Sequence, residues 1–167
     1  MPALQTFEKG HLRAVRKAHR EAEQLVTRYY ALAPREWARM PYEVRTLEEL
    51  QPEEIVDEAF AHVVCYHYTR RRNNEIVDQG ELYRICLQDH HILNTINSSE
   101  DGPDLNSFLL YVMTHELVHI VRFGQKLQRI DLPGNLRPIE EQNVDRIAHR
   151  ILQPVRGLDL NRVLKVC

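Results

Sequence analysis

The stretch from Leu105 to Phe123 constrains this chain's fold more than any other. Leu105, Phe108, Leu109, Val112, Met113, Leu117, Val118, Ile120 and Val121 leave almost no polar face when wound as a helix. A helix apolar around most of its circumference belongs in a core. Asp104 stands where an N-cap is expected, and Gly124 where a helix ends. Yet His115, Glu116 and His119 sit at its centre. Burying a carboxylate and two imidazoles without partners costs several kcal/mol. A bound metal ion removes that penalty.

The spacing His115-Glu116-Leu117-Val118-His119 suits a metal. Positions four apart share a helical face, with Cβ atoms about 5–6 Å apart. Two imidazole nitrogens can then reach one zinc ion at roughly 2.0–2.1 Å. Glu116, one position after the first histidine, points to the side. From there it can take a proton from a water whose pKa zinc has lowered toward about 7. A purely structural zinc site has no use for that glutamate. The motif alone is short enough to arise by chance, so the third ligand carries weight.

A metzincin-like pattern would need Gly at 122 and His at 125, where this chain has Arg122 and Gln125. A last helix, predicted from Pro138 to just before Pro154, offers Glu140-Glu141-Gln142-Asn143-Val144-Asp145 instead. Glu141 and Asp145 lie one turn apart on one face. Glu141 can bind zinc while Asp145 orients a ligand imidazole, a common role for carboxylates behind zinc-bound histidines. Glu140 shares its face with Val144, Ile147 and Ile151 and is a poorer ligand. His149 is the next candidate, roughly 12 Å along the helix axis from Glu141.

These residues resemble the gluzincin-type zinc metallopeptidases, whose second motif is a Glu followed four residues later by Asp or Asn. More narrowly, Glu141, Asp145, Ile147-Ala148 and Ile151-Leu152-Gln153-Pro154 look like the ImmA/IrrE peptidase-like signature. The likeness covers about residues 80–155. Ile147 stands for the usual aromatic, Gln153 for Met, and Val118 where a small Gly is common. The resemblance implies His115, His119 and Glu141 as zinc ligands, Glu116 as catalytic base, and a peptide or protein as substrate. It implies a minimal zincin-like core for that stretch and says nothing of the long N-terminal helix. Length and pattern give one α+β domain over residues 1–167, mostly helical, with a small sheet preceding the active-site helix: a helical N-terminal portion over residues 1–75 and the metallopeptidase-like core over residues 80–155. The rival expectation is a zinc-binding regulatory module on the same scaffold with little or no turnover.

The rest of the chain is read more coarsely. A helix is predicted from Leu4 to about Leu32, with Leu4, Phe7, Leu12, Val15, Ala18, Ala22, Leu25 and Val26 as its apolar stripe. Its charged face, with Arg13, Arg16, Lys17 and Arg20, reads as solvated surface. A brief helix is expected around Trp37, and another from Pro52 to about Tyr68, followed by a loop over 70–74. Leu82 to Leu87 reads as a strand, Ile92 to Ile96 as a second, and 98–103 and 129–137 as loops. Asn94 on that second strand is a candidate for aligning an extended substrate. His90 and His91 read as a surface pair near the turn between the strands. Tyr66, Tyr68, His90 and His149 are candidates for a group that stabilises the transition state.

Composition sets outer bounds. The formal net charge of −2 gives no general argument for nucleic acid or a membrane surface. Cys65, Cys86 and Cys167 are odd in number and lack CxxC spacing, which argues against a disulfide framework. Met1 to Gln5 shows no secretory pattern, and no apolar run approaches the roughly 20 residues that span a bilayer. A reducing, cytoplasmic location is expected.

Overall fold

A computed structural model describes residues 3–98, 100–127 and 132–167. Together they form one small α+β domain of six helices and a three-stranded sheet. The first helix, α1 (Lys9–Tyr30), buries Val15, Ala18, Ala22 and Val26, a spacing that returns to one face every three or four residues. It stops at Ala31, which adopts the left-handed conformation (φ 52°) and closes the last turn onto the Arg28 and Thr27 carbonyls. The short α2 (Pro34–Ala38) follows, its Trp37 indole donating to Thr27 Oγ1 at 2.8 Å.

At the centre lies α4 (Leu105–Gly124), with Asp104 accepting a hydrogen bond from the Ser107 amide. The helix α1 packs along it, and α5 (Arg137–Leu152), α6 (Leu160–Leu164) and the sheet cover other sides. Among the described residues, no helix is long and apolar enough to cross a membrane.

The sheet has the order β1-β3-β2, with β1 (Tyr42–Arg45) parallel to β3 (Glu75–Leu87) and β2 (Ala61–Arg72) antiparallel to it. One face, with Ala61, Val63, Tyr83, Ile85 and Leu87, packs into the core. The other face supports a polar cluster. There the buried Glu54 carboxylate accepts from the Tyr66 hydroxyl, from Arg84 Nη1 at 3.1 Å and from the Gln51 amide at 2.8 Å. Asp89 is also buried, and ties the Phe7 and Leu47 amides to the start of α3 (Asp89–Asn97) at 2.8 and 3.0 Å.

Several local expectations are corrected. The helix expected from Pro52 to Tyr68 is a single 3₁₀ turn, Pro52–Glu54, followed by strand β2. The β-branched and aromatic residues of His62-Val63-Val64-Cys65-Tyr66 suit a pleated strand, and pairing with β3 from Ala61↔Leu87 to Arg72↔Glu75 overrides the local helix formers. The expected loop over 70–74 shrinks to a two-residue turn at Asn73-Asn74, both at positive φ (53° and 66°), as a tight hairpin demands. The strand expected at Ile92 to Ile96 is part of α3, where Ile92 and Leu93 are buried and Asn94 is exposed. Helix α1 begins at Lys9, later than Leu4, although Phe7 is still buried. Part of the loop expected over 129–137 lies outside the described residues, and its last residue already belongs to α5.

Candidate metal centre

One stripe of α4 carries Tyr111, His115, His119 and Phe123, each four residues after the last. The imidazoles of His115 and His119 meet with ring centroids 4.9 Å apart, and the Phe123 ring stacks on His119 at 5.9 Å. Helix α5 crosses this stripe and brings two carboxylates to it. Glu141 Oε2 lies 3.2 Å from His115 Nε2, and Glu141 Oε1 lies 3.0 Å from His119 Nε2. Asp145 Oδ1 lies 2.9 Å from His115 Nε2 and accepts from the Tyr111 hydroxyl at 3.1 Å. Behind the ring, Glu116 Oε1 faces His115 Nδ1 at 3.1 Å.

So both nitrogens of His115 face carboxylates, Glu116 on one side and Glu141 with Asp145 on the other. Asp145 contacts the nitrogen that Glu141 addresses, while Glu116 holds the opposite one. His119 and Glu116 are buried, at 6% and 5% exposure, whereas Glu141 and Asp145 sit half-exposed at the rim. Glu140 turns away from the imidazoles and pairs with Arg122 on α4, joining the two helices next to Glu141.

The electrostatics follow from this crowding. Burial pushes the His115 imidazole toward neutrality, but hydrogen bonds to Asp145, Glu116 and Glu141 outweigh it and hold its pKa well above the ordinary value. His119 moves the same way: burial opposes, and Glu141 and Glu116 prevail. Burial alone would raise Glu141, yet its hydrogen bonds with both imidazoles hold it far below the usual carboxylate range. Asp145 is likewise lowered, against its burial, chiefly by His115.

This donor set fits a divalent cation. His115, His119 and Glu141 offer ligand atoms that all lie within 4.8 Å of one another. Ligands about 2.1 Å from a tetrahedral ion are separated by roughly 3.4 Å. The two carboxylate–imidazole distances, 3.0 and 3.2 Å, are close to that value. Three carboxylates converge on two imidazoles, so a cation can replace the protons that the imidazoles otherwise retain.

A cleft of about 490 Å³ opens in front of these groups, between α4, α5 and the chain entering β2. Phe60, Ala61, Val63, Tyr111, Phe123 and Cys167 are among its walls. Of the hydroxyl and imidazole candidates from sequence, Tyr66 binds Glu54 on the other face of the sheet and His90 pairs with Asp57. Tyr68 and His149 are also absent from the cleft walls, where Tyr111 supplies the hydroxyl. Asn94, exposed on α3, is in no position to align a substrate by strand pairing. Sequence reading missed Tyr111 and Phe123, although the four-residue ladder through the histidines contained them. Nothing in the sequence pointed to Cys167.

No family model, curated protein or solved structure matches this chain.

Proposed function

We propose that this chain is a zinc-dependent metallopeptidase of the gluzincin type, hydrolysing a peptide bond within the cleft lined by α4 and α5. The observation that carries the proposal is the Glu141 carboxylate spanning both imidazoles, one oxygen on each Nε2, with Glu116 buried alongside. In this reading His115, His119 and Glu141 hold the metal, and α4 is the active-site helix of a minimal zincin-like fold. Two nitrogens and one carboxylate oxygen are a donor set that zinc favours over magnesium or calcium. When bound, the cation polarises the scissile carbonyl and lowers the pKa of the attacking water.

The remaining work falls to side chains. Glu116 is the general base: it accepts the proton of the attacking water and returns it to the departing amine. Its contact with His115 Nδ1 also fixes the ring so that Nε2 faces Glu141. Tyr111 holds the Asp145 carboxylate toward His115, and burial keeps the Tyr111 phenol protonated as a donor. Phe60, Ala61, Val63 and Phe123 give the cleft apolar walls suited to side chains of a peptide or protein substrate. A reducing, cytoplasmic setting belongs to the same reading, consistent with free Cys65, Cys86 and Cys167.

The test is cleavage of a broad peptide library by zinc-loaded protein, beside Glu116→Gln. The proposal expects wild-type cleavage, its loss in Glu116→Gln, and unchanged metal content in that variant. A wild-type protein that holds the metal at this site yet cleaves nothing would instead support a zinc-binding regulatory module.

A further inference from the structure

Beyond the α4–α5 site, the structure assigns a second divalent-cation site to Cys65, His67 and Glu81, at the base of the β2–β3 ribbon. Cys65 and His67 are two residues apart on β2 and so project from the same face of the strand. Glu81 is the direct cross-strand partner of His67, and Tyr83 that of Cys65, so all four share one face. The Cys65, His67 and Glu81 ligand atoms all lie within 4.8 Å of one another. His67 Nδ1 is 3.8 Å from Glu81 Oε1, close to the roughly 3.4 Å expected of neighbouring ligands on a tetrahedral ion. Small rotamer changes at the exposed His67 and Glu81 close the difference.

The surroundings favour a ligand role. The Tyr83 hydroxyl donates to Glu81 Oε2 at 3.2 Å, steadying that carboxylate. The Tyr83 ring is itself fixed by stacking on Phe123, with ring planes only 10° apart. Cys65 is partly buried against the core, and its thiol forms no disulfide. Among the described residues, neither Cys65 nor His67 has a hydrogen-bond partner that a metal would have to displace. Sulfur, imidazole and carboxylate together select a zinc-like ion over calcium or magnesium.

The location indicates what such an ion does. Strand β1 pairs with β3 only over Tyr83 to Cys86, so below residue 82 the ribbon is two-stranded. A two-stranded hairpin on its own is marginal in water. An ion bridging Cys65 and His67 to Glu81 ties the strands together where the third strand ends.

Cobalt(II) separates this site from the first, because only a thiolate-bound cobalt gives an intense near-ultraviolet charge-transfer band. The full chain, titrated with cobalt(II) under anaerobic reducing conditions, is expected to bind two ions, only one of which contributes to the band. His119→Ala should bind one ion and keep the band. Cys65→Ser should bind one and lose it, while Cys167→Ser, in the cleft, should leave it intact. His67→Gln and Glu81→Gln, at exposed positions that do not threaten folding, should each weaken the band-forming ion by at least about tenfold. A wild-type titration without the band overturns the proposal. So does a band that survives Cys65→Ser, disappears in Cys167→Ser, or is undiminished in both His67→Gln and Glu81→Gln.

Discussion

Glu54 and Glu116 are both buried carboxylates, at 1% and 5% exposure, yet their surroundings have opposite logic. On the outer face of the sheet, Glu54 is matched donor by donor: the Tyr66 hydroxyl, two contacts from Arg84, and the Gln51 amide. Each of these is a fixed donor, and the Arg84 guanidinium supplies the balancing charge. Around Glu116 the partners are themselves acceptors or titratable groups. Three carboxylates converge on two imidazoles, at the wall of an open cleft. The first arrangement is complete without anything further. The second gathers lone pairs and titratable groups in an arrangement that fits a cation.

Substitutions can break that contrast. The largest effect is expected for Glu116→Gln, which keeps the shape of the side chain but removes the proposed base. Peptide cleavage should fall by about 10²–10⁴-fold, measured as kcat/KM, with metal affinity unchanged. Next come the proposed metal ligands. His119→Ala or Glu141→Ala should lose one equivalent of metal, and affinity at that site should fall by more than the roughly 10–100-fold typical of residues supporting a ligand.

At the structural cluster the outcome should be reversed. Arg84→Met leaves the Glu54 carboxylate buried without its counter-charge, and should lower stability by about 3 kcal/mol in urea unfolding while the α4–α5 metal equivalent remains. The smallest effect is expected from Tyr111→Phe, which removes one hydrogen bond to Asp145. A bond to a carboxylate is worth about 1.5 kcal/mol, and it acts on the site only through Asp145, so metal affinity should change by no more than about tenfold.

The same contrast extends to pH. Burial alone would raise the Glu54 pKa, but Tyr66, the Gln51 amide and Arg84 bring it below the ordinary carboxylate value. Glu54 therefore contributes stability that is fully present above the unfolded glutamate pKa of about 4.3 and is lost as pH falls through the lower folded value. Urea midpoints measured across the acid range should fall in this window, and Glu54→Gln should flatten the fall. Asp89 has the opposite sign. Burial outweighs its bonds to Phe7 and Leu47 and raises its pKa, so its contribution is greatest when protonated and declines as pH rises through the folded value.

What the sequence made legible follows the same physical division. Helix α4 could be read with its ends, because apolar residues on every side, an N-cap at Asp104 and a stop at Gly124 are all local signals. Helix α5 was equally clear between Arg137-Pro138 and Pro154. Strand β2 was not legible. Its pairing with β3 is set by contacts such as Ala61↔Leu87, which no window of neighbouring residues contains. Ile92 to Ile96 is too short, with Asn94-Thr95 in its middle, for periodicity to tell a strand from a helical turn, and only packing settled it. Within the site, His115, Glu116 and His119 follow from helical spacing alone. Glu141 could be picked out from the face it shares with Asp145, but that its carboxylate spans both imidazoles depends on how α5 meets α4. The role of Glu140 as a clamp to Arg122 was invisible for the same reason.

The most direct test of the α4–α5 centre is anomalous X-ray diffraction at the zinc edge from crystals grown with stoichiometric zinc. A peak is predicted about 2.1 Å from the Nε2 atoms of His115 and His119 and from a Glu141 oxygen, with Glu116 outside the coordination shell. Fully zinc-loaded crystals with no peak between those three side chains, or with Glu116 bound in place of Glu141, would contradict it.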